Sequence, residues 1–290
     1  MQHHDARQVV IKPKYYSVAN RVQRYDAQQI IKELLSVLQW RLDEKDSLID
    51  LGTGSGDVLM DFIYPLLPKN FTKLVGTDIS SEMVEHCKRN YSQSENVKFK
   101  VLDIGTEILP KELIGEFDHV TSFYSIHWVQ NQRLAVDNIY RLLKSGGDCF
   151  LVFLSTHSIN ETYDIVSLNP KWAPYMKNIK NYYSPLFRSK DPRSEFSEIL
   201  KDAGFVDVKV AELSNYSNEL LHYVISSFFV YCTDTYRAVN PFIHRVPVEM
   251  HEEILDEIIH TAIELGNESN NGNPGCIATY KLIVAYARKL

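Results

Sequence analysis

The sequence predicts an α/β protein built on a mostly parallel sheet. Three observations carry this. Short apolar runs bounded by glycines and turn residues alternate with amphipathic stretches between Ser47 and Leu154. The first run opens into a glycine-rich turn, Asp50-Leu51-Gly52-Thr53-Gly54-Ser55-Gly56. Two acids, Asp78 and Asp103, stand where the next two runs end. Strands that alternate with helices form βαβ units, and such strands pair in parallel.

The elements follow in order. Asp26–Gln39 sets Ile30, Ile31, Leu34, Leu35 and Leu38 on one face at helical spacing. "SLIDLG" is a buried strand that ends at glycine, and Asp57–Leu67 is the helix after it. "KLVGTDIS" is a second strand, and Ser80 caps a helix through Met83 and Val84. "VKFKVLDI" and "FDHVTSFYSI" are the third and fourth strands. "LAVDNIYRLLK" is a helix closed by Ser145-Gly146-Gly147, and "DCFLVFL" is a fifth strand. Residues 155–193 carry four prolines and many aromatics with no clean period. Ser194–Ala203 is a helix stopping at Gly204, and "FVDVKVAEL" is a strand. Residues 217–266 are mostly helical, with a break near "VNPFIHRVP", then a loop, "NESNNGNPG", and a closing strand, "IATYKLIVAYARK". The chain therefore reads as one domain, 1–290, in which 155–193 and 217–276 are insertions. They are expected to form a lid over the carboxyl ends of the strands, where open α/β sheets bind ligands.

Composition removes several classes. With 44% hydrophobic and 23% charged residues over 290 positions, the chain can bury a full core. A net charge of -6 offers no basic field to nucleic acid or an acidic membrane. The start, "MQHHDARQVV", is polar, and no stretch approaches the ~18 apolar residues of a membrane span. The four cysteines (Cys87, Cys149, Cys232 and Cys276) lie far apart without a CxxC, so neither a zinc site nor a disulfide framework is expected. A reduced, cytoplasmic protein is the simplest reading. A homodimer is compatible with the sequence, which does not specify an oligomeric state.

Two cofactors compete for the glycine turn. A dinucleotide fold wants GxGxxG/A, but the sixth position counted from Gly52 is Asp57. A carboxylate there would repel a pyrophosphate at the helix N-terminus. S-adenosylmethionine needs no phosphate pocket: it carries a sulfonium and an amino-acid tail, and a tight GxGxG turn with acids nearby suits it better. Asp78, ending the second strand, can accept both ribose hydroxyls, and Asp103, ending the third, can take an adenine amino group.

Three strand ends bearing these groups in order make 47–154 resemble the class I S-adenosylmethionine-dependent methyltransferases. The resemblance implies a Rossmann-like, seven-stranded, mostly parallel sheet with an antiparallel C-terminal strand, here 277–289, and 205–213 as its hairpin partner. It implies cofactor contacts at Asp50, Gly52, Thr53, Gly54, Gly56, Asp78, Ile79, Asp103, Ile104 and Ser122, with S-adenosylhomocysteine as product.

A narrower resemblance covers about Tyr15 to Lys289. "NRVQRYDA", "LVGTDISSEMV", "VLDIG", "FDHVTSFYSIHWVQN", "GGDCFLVFL" and "YKLIVAYARK" look like the insect juvenile hormone acid methyltransferases. The resemblance implies methyl transfer to the carboxylate of farnesoic acid or juvenile hormone acid. It assigns the acceptor carboxylate to Gln23 and Trp128, with Tyr124 and His127 as further substrate contacts. The segment 1–40 would then be a helical flap that closes over the cofactor, and Met1–Pro13 an extension without a stated role. Taken alone, Gln23 is a solvated helix residue, Trp128 and Tyr124 pack, and His127 is structural. Two rivals remain open: a methyltransferase with another small acceptor, such as an arsenical, a phenol or a fatty acid, and a silent protein that binds hormone or cofactor.

Overall fold

The computed structural model describes residues 13–34, 37–91, 94–214, 240–266 and 279–290. Strands β1 (Ser47–Leu51), β2 (Lys73–Asp78), β3 (Val97–Val101), β4 (Phe117–Phe123), β5 (Leu143–His157), β6 (Val206–Ser214) and β7 (Tyr280–Arg288) form one sheet in the order β3-β2-β1-β4-β5-β7-β6. The first five are parallel, while β7 runs antiparallel between β5 and β6. The expected mostly parallel sheet with an antiparallel last strand and a β6–β7 hairpin is therefore present.

Helices α1 (Pro13–Ala19), α2 (Arg21–Leu34), α3 (Ser81–Tyr91), α4 (Gln132–Leu142), α5 (Ile159–Val166), α6 (Pro192–Asp202) and α7 (His251–Gly266) surround the sheet. Alternation along the strands sends neighbours to opposite faces. Ile49, Val120, Leu151 and Ile283 join one core with Ile139 of α4 and Phe196 of α6. Leu48, Leu74, Phe150 and Leu282 join the other with Ile30 and Ile31 of α2 and Val84 of α3. The described part of the two insertions keeps a third core, where Trp172, Tyr163 and Phe242 pack on Ile254, Leu255 and Ile258 of α7.

Three local expectations change. Helix α2 starts at Arg21, not Asp26, because the Asn20 carbonyl already accepts the Arg24 amide at 2.9 Å. Asp57–Leu67 is not a regular α-helix: it widens into a π-turn at Leu59–Ile63 and tightens to a 3-10 turn at Tyr64–Leu66. Pro65 is the reason, since it lacks the amide N–H an α-helix would need there and its ring crowds the preceding turn. Gly146 and Gly147 do not close α4, which ends at Leu142 and turns straight into extended Leu143. They lie inside β5, where a Cβ on Gly147 would meet the Asp118 carbonyl at 2.7 Å. Ser80 does cap α3, accepting the Met83 amide at 3.3 Å. The loop at 267–275 and the aromatic run at 224–236 lie outside the described residues.

At the amino ends of the strands, far along the sheet from the glycine turn, His119 is buried between two carboxylates. Its Nδ1 lies 2.6 Å from Asp148 and its Nε2 2.9 Å from Asp46. Burial alone would depress its pKa, but the Asp148 and Asp46 carboxylates outweigh it and raise it to about 9. The same carboxylates accept the Gln39 and Arg41 amides at 2.8 and 2.9 Å, so this cluster pins the segment between α2 and β1.

Candidate active site

The site forms at the carboxyl end of β1, where Gly52 and Gly54 take φ of +70 and +57 degrees. A Cβ on Gly52 would lie 1.9 Å from the Ser125 hydroxyl, so only glycine lets the turn pass the chain leaving β4. The Thr53 amide donates to the Thr77 carbonyl at 2.7 Å, tying the turn to β2.

The acids stand around this turn. Buried Asp50 accepts the Thr121 hydroxyl at 2.7 Å and the Thr53 hydroxyl. Asp78 accepts the Gly54 amide at 2.9 Å and the Ser80 amide at 2.8 Å, one on each oxygen. Burial pushes Asp50 up to about 6, against the pull of its two hydroxyl donors and with help from the Asp78 charge. Burial also raises Asp78, although its two amide donors pull the other way. Two desolvated carboxylates this close favour a ligand that brings positive charge and hydroxyl donors, and they disfavour a phosphate. Asp103 follows β3 and accepts the Gly105 amide at 2.8 Å. Asn138 braces that loop, donating to the Ile104 and Thr106 carbonyls at 2.9 and 2.7 Å. Ile79 follows β2, half-buried, and Ile104 is buried beside Gly105. Ser122 sits within β4, buried, and its hydroxyl donates to the Leu51 carbonyl at 2.8 Å.

The N-terminal helices α1 and α2 lie against this turn. The Tyr16 ring is 3.3 Å from where a Gly54 Cβ would be. Asn20 donates to Asp57 at 2.7 Å, and Arg24 pairs with Asp57 at 3.1 Å and Asp61 at 2.9 Å. Asp57, the residue that argued against a pyrophosphate, thus anchors the N-terminal helices. One turn after Asn20, Gln23 keeps its Oε1 buried with no hydrogen-bond partner. One turn further, fully buried Asp26 accepts the Tyr124 hydroxyl at 2.5 Å and the Tyr280 hydroxyl at 2.6 Å.

Past β4, Tyr124 takes a left-handed φ of +54 degrees and opens the 3-10 turn Ile126–Trp128. His127 is buried with its Nδ1 unpartnered. Burial, helped by the nearby His157, pushes its pKa down to about 3, so the ring is neutral at pH 7. Trp128 is half-buried, its ring 4.9 Å from His127, and its indole N–H makes no hydrogen bond among the described residues.

The structure therefore gathers Asp50, Gly52, Thr53, Gly54 and Asp78 into one cradle and connects the flap helix bearing Gln23 to the turn bearing His127 and Trp128 through the Asp26–Tyr124 contact. Ser122 stands apart, engaged with backbone. Sequence reasoning missed the roles of Tyr16, Asn20, Asp57 and Tyr280. The period of three linking Asn20, Gln23 and Asp26 was the available signal. Several aromatics of the 155–193 insertion, among them Trp172, Tyr182 and Tyr183, are buried, Trp172 and Tyr183 in the third core.

Comparison with known proteins agrees with this geometry. The family described as methyltransferase domain matches residues 49–149. The chain is 47% identical over 282 residues to the juvenile hormone acid O-methyltransferase of Drosophila melanogaster, spanning 94% of this chain and 91% of that protein. It is 33% identical over 280 residues to the Bombyx mori protein of the same name, spanning 95% and 96%. A solved structure of Haemonchus contortus phosphoethanolamine N-methyltransferase 2 in complex with S-adenosyl-L-methionine shares the fold with a TM-score of 0.56 at 13% identity, covering 96% of this chain and 57% of that one.

Proposed function

The chain belongs to the juvenile hormone acid O-methyltransferase family, and from that premise we propose that it methylates the carboxylate of farnesoic acid or juvenile hormone acid. It is an S-adenosylmethionine-dependent O-methyltransferase. The observation that carries the reading is the desolvated acid pair Asp50 and Asp78 around a positive-φ glycine turn. These groups fit a cationic, hydroxyl-bearing cofactor. Asp78 would exchange its backbone donors for ribose hydroxyls, Asp103 and Ile104 would border the adenine with Ile79, and Asp50, Thr53 and the glycines would hold the amino-acid tail. Ser122 would act only by tying β4 to β1. The cofactor supplies a methyl group activated on a sulfonium.

The rest falls to this chain's own residues. A carboxylic acid has a pKa near ~4–5 and arrives ionised at pH 7, so no base is needed. His127, held near 3 by burial first, is too weak a base to take that part. What the acceptor needs is alignment, which can supply ~7–11 kcal/mol. In our reading the Gln23 amide and the Trp128 indole N–H supply it as neutral donors. An arginine or lysine would over-stabilise an anion whose charge fades as the ester forms. Tyr124 and His127 would border the same acceptor. With the cofactor in place, Gln23 and Trp128 would aim one carboxylate oxygen at the methyl group the sulfonium would supply, so that the anion would become a neutral ester and the sulfonium a neutral thioether.

The acceptor is then a small isoprenoid acid, and the charge of -6 supports no nucleic-acid partner. Cys87 and Cys149 are free and buried, which supports a cytoplasmic setting. No helix among the described residues is long and apolar enough to cross a membrane. We read 1–290 as one domain whose site needs one copy, which leaves a homodimer compatible. Labelled donor with farnesoic, juvenile hormone, palmitic and lauric acids tests the reading. Methyl ester should form from the first two. Preference for the straight-chain acids would move the acceptor class, and tight product binding without any ester would leave a silent binding protein.

A further inference from the structure

We propose that Asp26 is a positioning residue that holds the flap helix and the Trp128 turn in one fixed relation, through the two phenols it accepts. The inference deepens the reading above and rests on it for the roles of Gln23 and Trp128.

The geometry begins with an expensive choice. Asp26 is fully buried, and one oxygen accepts both Tyr124 and Tyr280 while the other has no partner. A buried carboxylate is costly unless it is well donated to. Its neighbours Ala27, Ile30 and Ile31 show that this face of α2 can be packed with apolar side chains. A packing role alone therefore does not call for an acid at this position.

The three partners belong to three pieces of the site. Asp26 stands three residues after Gln23, on the same side of α2. Tyr124 precedes the turn that carries His127 and Trp128. It is held at a φ of +54 degrees by its hydroxyl at one end and by its amide, which donates to the Val152 carbonyl at 2.7 Å, at the other. A non-glycine residue persists there only when its surroundings over-determine it. Tyr280 opens β7, and its ring stacks on His157 at 5.9 Å and 17 degrees. His157 in turn acts on His127 electrostatically. On the other side of Gln23, Asn20 fastens the helix to Asp57 beside the glycine turn. Gln23 is thus bracketed between a link to the cofactor turn and a link to the acceptor turn. Loss of the Asp26 carboxylate frees one bracket and lets Gln23 and Trp128 drift apart.

The test is Asp26→Asn, which keeps the shape but replaces the charged oxygen that both phenols donate to by a neutral amide oxygen, a weaker acceptor for each. Tyr280→Phe, which leaves the acid folded with Tyr124, is the second variant if the first misfolds. A misplacement on the order of 1 Å can cost about 10²-fold. We expect Asp26→Asn to lower kcat/KM by about that factor and Tyr280→Phe by a smaller one, with S-adenosylhomocysteine affinity nearly unchanged. Adding Gln23→Ala to Asp26→Asn should cost little more, because Gln23 is already misplaced. Hydrogen exchange supplies a readout that needs no turnover. Residues 21–34 and 124–128 should lose protection together in Asp26→Asn, with β1 to β3 unaffected. Full multiplicative losses, or loosening of α2 alone, would overturn the proposal. If the wild-type protein forms no ester while the two segments still loosen together, it is the acceptor reading that fails, and Asp26 keeps its role.

Discussion

Asp50 has three pulls on it: burial, two hydroxyl donors and the charge of Asp78, and burial wins, setting its pKa at about 6. Its unfolded value is near ~3.9, so the folded, empty protein takes up a proton on this group between those two values. Any stability tied to that proton is full below the lower value and is lost as pH rises through the higher one. A ligand that brings a cation reverses the preference. Binding S-adenosylhomocysteine, through its ammonium, should therefore expel a proton at about pH 5.5. Calorimetry in two buffers of different ionisation enthalpy measures this, and Asp50→Asn should abolish the share that belongs to Asp50. An equal heat in both buffers with the wild-type protein would show that the amino-acid tail lies elsewhere. His127 illustrates the opposite case. Its type and place after a strand suggest a substrate contact, and burial fixes its neutral state, but no pattern in the chain announces that burial.

At the scale of elements, what could be read was what short-range chemistry decides. The strands, the glycine turn and the Ser80 cap follow from apolar runs, positive-φ glycines and a hydroxyl three residues before its amide. The rest was set by partners distant in sequence. Sheet register placed Gly146 and Gly147 in β5 when local rules made them a helix stop, and Pro65 opened the preceding helix in a way the helical period did not disclose. Asp57 read as an obstacle to phosphate, and only the folded chain turned it into the anchor of the N-terminal helices, 37 residues from Asn20. The flap helix and the Trp128 turn give the prediction that belongs here. If both elements donate to one carboxylate, Gln23→Ala and Trp128→Phe should each lower kcat/KM by one to three orders of magnitude, a range drawn from misorientation costs. The double variant should be little worse than the poorer single one. Near-normal turnover in both single variants would return Gln23 to a solvated helix residue and Trp128 to packing.

Across the whole molecule, chemistry and stability sit at opposite ends of the strands. The cofactor turn closes the carboxyl end, and the Asp46–His119–Asp148 cluster closes the other. His119 is held charged by Asp148 and Asp46 against burial, which would discharge it. A raised histidine gives stability that is complete below its unfolded value near ~6.5 and disappears as pH climbs through about 9. The thermal midpoint should accordingly fall between pH 7 and 9.5, while far-UV spectra at 25 °C stay folded. His119→Gln should be less stable at pH 7, since it leaves two buried acids uncompensated, and should show a flatter decline. An equally steep decline in that variant would assign the alkaline loss to another group.

The flap has one more consequence, and it concerns time. Tyr16 packs on the glycine turn, and Asn20 and Arg24 hold Asp57 beside it, so on the proposed reading α1 and α2 are a closed flap across the way in and out of the cofactor's seat. On the same reading, α2 has to be shut for Gln23 to meet an acceptor. Entry of the methyl donor then has to precede the acid, and the demethylated donor has to leave after the ester. Steady-state kinetics should be compulsory-ordered: S-adenosylhomocysteine competes with the donor alone, whereas the methyl ester is a mixed inhibitor toward it. A molecule built this way cannot hold its acid in the productive pose before the donor is in place, and its commitment to methylation is made by a helix before any bond is made.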